Sequence, residues 1–251
     1  MSDPRAAQWR GLRDFLRWMG GGGRAARYWE APGVAAAIVP ATPERSIVNS
    51  VAYESESALA AAYDEIAGAY DEAGVAAWSV WTPDHDSAAI ELLRSRGHAF
   101  DGEPAAMTLD MREFDRSPGD LDWDSRATFE ELGRLNDVAY GTPDRDGVAA
   151  AMAGAPDGLP IRLYRALLDG ETASVLATID HDDDLGIYFV ATPEARRGRG
   201  LASRLMTAAL LEGRERGLRT SSLQASGKGE PVYERLGYRR HFRLHLYERR
   251  G

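Results

Sequence analysis

Val190-Ala191-Thr192-Pro193-Glu194-Ala195-Arg196-Arg197-Gly198-Arg199-Gly200-Leu201-Ala202 is the stretch on which the reading of this chain turns. Before it, Leu185 to Thr192 (LGIYFVAT) has the composition of a strand and stops at Pro193. After it, from Leu201 to Arg216, apolar side chains stand at 201, 205, 206, 209 and 210, the spacing of one helical face. A strand therefore runs into a turn rich in Arg and Gly, and the turn opens a helix. Gly198 and Gly200 put no side chain in a ligand's way and permit backbone angles closed to other residues. The first turn of a helix carries N–H groups without intrahelical partners, at the positive end of the helix dipole. With two or three guanidiniums aimed at the same spot, such a turn makes a site for a diphosphate. A solvated basic loop is the plain alternative. No Gly-Lys-Ser/Thr follows, so this is not a nucleoside-triphosphate loop, and the third glycine and downstream acid of the dinucleotide fingerprint are missing.

Outward from the turn, Ala173 to Ile179 (ASVLATI) reads as a strand forming a hairpin with 185–192 across His181-Asp182-Asp183-Asp184. Gly217 ends the helix. A strand at Leu218 to Ala225, a short helix at Glu230 to Leu236 stopped by Gly237, and a last strand at Phe242 to Tyr247 follow. The first half repeats this order about 140 residues earlier. It has a helix from Ala58 to Ala73 with Gly74, a strand from Val75 to Trp81, a short helix from Ser87 to Arg96 with Gly97, and a strand from Met107 to Met111. Two copies of one α/β unit are inferred from this, a single α/β domain with coincidental punctuation being the other choice, with a mixed, mostly antiparallel sheet flanked by helices. The expected divisions are an N-terminal helical segment at 1–30, a degenerate first copy at 31–112, a linker at 113–124 and a second copy at 125–251.

Composition bounds the rest. The chain has 251 residues, 44% hydrophobic and 27% charged, which excludes wholesale disorder and fibrous repeats. Its formal charge of −9 argues against a protein devoted to duplex DNA. With no cysteine there is no disulfide, thiolate metal site or thiol nucleophile. The N-terminal stretch alternates Arg5, Arg10, Arg13 and Arg17 with Trp9, Leu12, Phe15, Leu16, Trp18 and Met19. It reads as an amphipathic helix that packs on the body, a membrane-surface helix being the other choice, and it has no signal-peptide or membrane-span run. A cytoplasmic protein is expected.

Arg197-x-x-Gly200-x-Ala202, placed after Val190-Ala191-Thr192 and before an amphipathic helix, resembles the acyl-CoA loop of the GNAT superfamily of N-acyltransferases. Tyr233-Glu234-Arg235-Leu236-Gly237-Tyr238 resembles the family's Tyr-x-x-x-Gly-aromatic segment, in the right order and spacing. The resemblance covers about residues 125–250; the first half shares only the layout. One departure is Pro193, which sits one place early relative to Arg197. The resemblance implies acetyl-CoA as co-substrate. It implies that Val190, Ala191 and Thr192 pair with the pantetheine arm, and that Arg197, Gly198, Arg199, Gly200, Leu201, Ala202 and Ser203 hold the pyrophosphate. It also implies a splay between parallel strands at 186–191 and 219–225 and a general acid at Tyr233. The reaction it implies is direct attack of a primary amine, on a small molecule rather than a peptide or protein, upon the thioester.

The base is open at this level. His181 is a candidate because histidine is the usual acid–base side chain at working pH; Asp180 and Asp182 flank it and Glu171 precedes them, although a solvated turn explains the run as well. Glu130, Glu131 and Asp137 on a helix, or a water chain, are further choices. No metal is expected: His241 and His245 fall four apart in a strand, about 13 Å, too far to share an ion. In the first copy the segment before the helix is Tyr53-Glu54-Ser55-Glu56-Ser57, without the Arg/Gly turn, and Leu93 stands where Tyr233 would. That copy is expected to bind no acyl-CoA and to be structural or to wall the acceptor site. Two rivals remain: a non-catalytic acyl-CoA-binding sensor, and a nucleic-acid binder using Arg196, Arg197, Arg199, Arg239, Arg240 and Arg243. No nucleic-acid or membrane partner is expected, and the chain is read as a monomer or homodimer.

Overall fold

A computed structural model describes residues 3–141 and 147–251. Residues 1–2 of the expected N-terminal segment and 142–146 of the expected second copy lie outside the described residues. Among the described residues the chain opens with α1 (Pro4–Gly22), whose N-terminus is capped by the Asp3 carboxylate. The first half then runs β1 (Arg27–Ala31), β2 (Val34–Ile38), β3 (Ser50–Tyr53), α2 (Glu56–Glu72), β4 (Ala77–Pro83), α3 (Ser87–Ser95), β5 (Ala99–Gly102) and β6 (Ala105–Asp110). The second half runs β7 (Trp123–Asp124), α4 (Phe129–Tyr140), β8 (Ile161–Leu168), β9 (Glu171–His181), β10 (Asp184–Ala191), α5 (Leu201–Glu215), β11 (Thr220–Ala225), α6 (Glu230–Leu236) and β12 (Arg239–Arg250).

The strands form one mixed, mostly antiparallel sheet in the order β1-β2-β3-β4-β12-β6-β11-β10-β9-β8-β7, with β5 paired to β12. This is the expected α/β class. β3–β4 and β10–β11 are parallel pairs, each bridged by a helix, and they occupy equivalent places in the two halves.

The halves exchange their last strands. β6 pairs antiparallel with β11 along its whole length, so it completes the sheet of the second half. β12 runs beside β6 from Arg239 to Arg243, then crosses to pair with β4 from Leu244 to Arg250. The cores follow the pairing. Met107 and Leu109 of β6 pack with Leu205, Met206 and Leu223 of the second half, while Tyr247 of β12 packs with Tyr63, Tyr70 and Trp78 of the first. A cut at 112/113 leaves each half with an end strand lodged in the other's sheet. Residues 113–124 tie back to α5, where Arg204 bonds the Pro118 carbonyl and Asp120.

Helix α1 fills the join. Its Leu12, Phe15, Leu16, Trp18 and Met19 are buried in a third cluster drawn from both halves, with Ala35, Ala37, Leu135, Val175 and Leu246. Packing on the body, the expected reading, leaves no apolar face of α1 to spare for a bilayer. No helix of the described residues is long and apolar enough to cross a membrane.

Candidate active site

Strand β10 leaves its neighbours on both sides where the site begins. Its parallel pairing with β11 is confined to Asp184–Gly186 against Thr220–Ser222, and from Ile187 onward the two strands part. On the other side, the register with β9 slips between Tyr188 and Ala191. Phe189 takes the left-handed backbone (φ 52°), uncommon for an aromatic residue and a place where strain is stored. Asn136 of α4 holds that bulge by donating from Nδ2 to the Phe189 carbonyl at 3.1 Å. Phe189 and Val190 consequently have no ladder partner on β9.

Past Thr192 the chain makes a single turn, Glu194–Arg196, and reaches Gly198 (φ 78°) and Gly200 (φ 70°). Gly200 is the N-cap of α5, and no side chain caps that helix. Among the described residues no hydrogen bond occupies the N–H groups from Gly198 to Ser203. The matching helix of the first half contrasts: Ser55 caps α2 through the Ala58 N–H, and Glu56 stands in its first turn. α4 is closed by a full capping box between Thr128 and Glu131. The uncapped terminus of α5 faces a cavity.

That cavity, about 620 Å³, is lined by Val190, Ala191, Thr192 and Arg196–Ser203, with Lys228, Val232, Tyr233 and Arg235 opposite. Among the described residues its charged lining is Arg196, Arg197, Arg199, Lys228 and Arg235, with no carboxylate. A second cavity of about 590 Å³ lies on the other side of the splay, between the halves. Tyr140, Val190, Ser226 and Tyr233 border both. Tyr233 is half-buried on α6, and burial raises its phenol above its ordinary value, with Tyr140 adding to the shift.

The structure thus gathers Val190, Ala191, Thr192, Arg197, Gly198, Arg199, Gly200, Leu201, Ala202, Ser203 and Tyr233 around one cleft. Arg197 corrects the expectation of converging guanidiniums. It is tied back to the chain, to the Thr192 carbonyl at 3.0 Å and the Ala139 carbonyl at 2.7 Å, so it braces the turn. Arg196 pairs with Glu171 at 2.9 Å.

His181 does not come to the cleft. It is neither in a solvated turn nor beside the splay: the turn is Asp182 and Asp183, and His181 closes it, paired with Asp184. Its ring is buried against α1, with Nδ1 2.6 Å from Asp14 and Nε2 2.9 Å from the Tyr188 hydroxyl. Both nitrogens are occupied, and His181 lines neither of the two cavities that meet at Tyr233. Asp180 is held by Arg162 and Arg216, and Glu131 by Arg165 and Thr172. Of the carboxylates considered from sequence, Asp137 alone borders the second cavity, and the N–H groups of Val148 and Ala149 take its oxygens. Sequence reasoning missed Asn136, the Phe189 bulge, and Asp101 and Glu103 on the cavity wall. Only an aromatic between two strand-like halves hinted at the bulge; the others had no local signal. Among the described residues no group of His, Asp or Glu side chains is arranged to hold a metal ion.

An antiparallel-rich sheet opened between two parallel strands, with an uncapped helix facing the opening, defines the N-acyltransferase class of fold. The sequence model of the acetyltransferase (GNAT) domain matches residues 161–240, so the second half carries a GNAT domain and the chain is an acyltransferase. No curated protein matches the sequence. Among solved structures, a GCN5-related N-acetyltransferase from Kribbella flavida superposes with a TM-score of 0.69 at 15% identity, over 100% of this chain and 97% of that one. A GCN5-related N-acetyltransferase from Sphaerobacter thermophilus gives 0.56 at 16%, over 87% and 80%. A tandem GNAT protein from the clavulanic acid biosynthesis pathway gives 0.57 at 12%, over 98% and 95%. At such identities the likeness is one of fold.

Proposed function

We propose that this acyltransferase moves an acetyl group from acetyl-CoA to a primary amine of a small molecule, with Tyr233 as general acid. We further propose that the first half, 31–112, is a degenerate copy that binds no acyl-CoA. The observation that carries the reading is a cavity lined, among the described residues, by Arg and Lys side chains without an acid, on a chain of net charge −9, beside an uncapped helix N-terminus. N–H groups from Gly198 to Ser203 suit a pyrophosphate, and Arg199, Lys228 and Arg235 add positive charge around it. The unpaired backbone at Val190 suits the amides of the pantetheine arm and, at its N–H, the thioester oxygen.

The chemistry follows from this arrangement. The ammonium enters from the second cavity, gives one proton to water, attacks the thioester carbonyl carbon and sheds a second proton to water once bonded. The C–N bond forms, the C–S bond breaks, and the Tyr233 phenol gives its proton to the departing sulfur. Its raised pKa keeps the phenol protonated at neutral pH, so the proton is in place when the sulfur departs. The first half supports the other side of the proposal: Ser55 already occupies the N-terminus of α2, and Glu54 and Glu56 would repel a diphosphate.

Calorimetric titration with coenzyme A tests the donor site. Wild type is expected to bind, and Gly200→Glu to bind at least about a hundredfold more weakly. That substitution forces a side chain onto a φ of 70° and sets a negative charge at the helix terminus. Unchanged affinity in a folded variant removes the assignment of this turn.

A further inference from the structure

The second cavity has a composition that selects among amines. Phe15, Trp81, Tyr188, Phe189, Ile187 and Leu246 give it an apolar body, and its volume of about 590 Å³ suits a small organic molecule. Its charged groups are not equivalent. Arg243 is committed to the Glu103 carbonyl and to Glu230, and Arg45 has a partner of its own. Asp137 is consumed by backbone N–H groups. Among the described residues no hydrogen bond or ion pair engages the carboxylates of Asp101 and Glu103, which stand two apart on the wall supplied by the first half. The cations of this cavity are spoken for and two of its anions are not.

Resting on the acyl-transfer reading above, we propose that the acceptor is a primary amine on an apolar, aryl-sized body, and that Asp101 and Glu103 receive its ammonium group. The body lies against the aromatic lining while the nitrogen is drawn toward the carboxylates and the Tyr233 end of the cavity. Burial and the neighbouring Glu248 hold the Asp101 carboxyl above its ordinary range, against the pull of Arg250, as for an acid lacking a close cation. A sugar amine would set its hydroxyls against the aromatic lining, and an apolar carboxylate would meet the two free acids. The degenerate half then has a role in specificity, since it supplies both carboxylates and Trp81.

The test is calorimetry with three probes, phenethylamine, glucosamine and phenylacetate, on the wild-type chain and on the Asp101→Asn/Glu103→Gln double variant, with acetyl-CoA titrated into the same samples. Phenethylamine is expected to bind at least about tenfold more tightly than either other probe, and the double variant to lose that advantage while keeping its acetyl-CoA affinity. Equal or tighter binding of glucosamine, or a phenethylamine affinity unmoved in the variant, overturns the proposal. Loss of acetyl-CoA binding in wild type with the amine preference intact sinks the donor reading instead, so the two failures are told apart.

Discussion

Tyr233 is one side chain on a seven-residue helix, yet two cavities end on it. Its ring stands edge-on to Tyr238, whose hydroxyl is taken by Ser221. Tyr233→Phe removes the proposed proton donor and little else, because the ring packing survives. The expected result is a fall in kcat of about a hundredfold or more, with coenzyme A affinity unchanged, measured by thiol release and calorimetry. A variant with wild-type turnover would show that the phenol is not the acid. His181 is the opposite lesson at this scale. Its residue type advertised acid–base chemistry, but a residue type does not say what surrounds it. Asp14, 167 positions away in the chain, occupies one ring nitrogen, and no local pattern could have revealed that.

At the scale of elements, the N-termini of α2 and α5 explain why one half has a cradle and the other has none. Ser55 and Glu56 close the first helix; Gly198 and Gly200 leave the second open. A different element-level contact sets the acid stability. His98, between α3 and β5, is wedged beneath α2, with Nε2 3.0 Å from the Tyr63 hydroxyl and Nδ1 2.9 Å from the carbonyl of Tyr247 in β12. Burial pulls its pKa down to about 4, from 6.5. Between those values the unfolded chain binds a proton that the folded chain refuses. Stability is therefore full above pH 6.5 and falls as the pH drops toward 4, by roughly 3 kcal/mol in all from this group. Urea unfolding at stepped pH, on wild type and His98→Gln, checks it: the variant's stability is expected to change less over this window.

At the scale of the molecule, the exchanged strands make the halves interdependent. Residues 1–112 alone would leave β4 without β12, and residues 113–251 alone would leave β11 without β6. Each would expose a long apolar strand edge. Either half expressed separately is expected to be unfolded or aggregated, and the two co-expressed to re-form one species, as read by size-exclusion chromatography and circular dichroism. Independent folding of residues 113–251 would contradict the role given to β6. α1 adds to the coupling, since its one apolar face serves both halves at once.

By itself, the amino-acid sequence determined the local pieces: the strand, glycine turn and helix at 185–216, the Tyr233 segment, and the repeated order of elements in the two halves. Those depend on periodicity, turn chemistry and capping, which act over a few residues. Which strands pair, which arginine braces the turn, which carboxylates stay free among the described residues, and where the second cavity lies were decided by tertiary structure. β6 and β12 each have a strand's alternation, but alternation does not name a partner across 130 residues of chain. Asp101 and Glu103 are ordinary surface acids in sequence; they become a candidate site only because the second half brings β10, β11 and Tyr233 to face them.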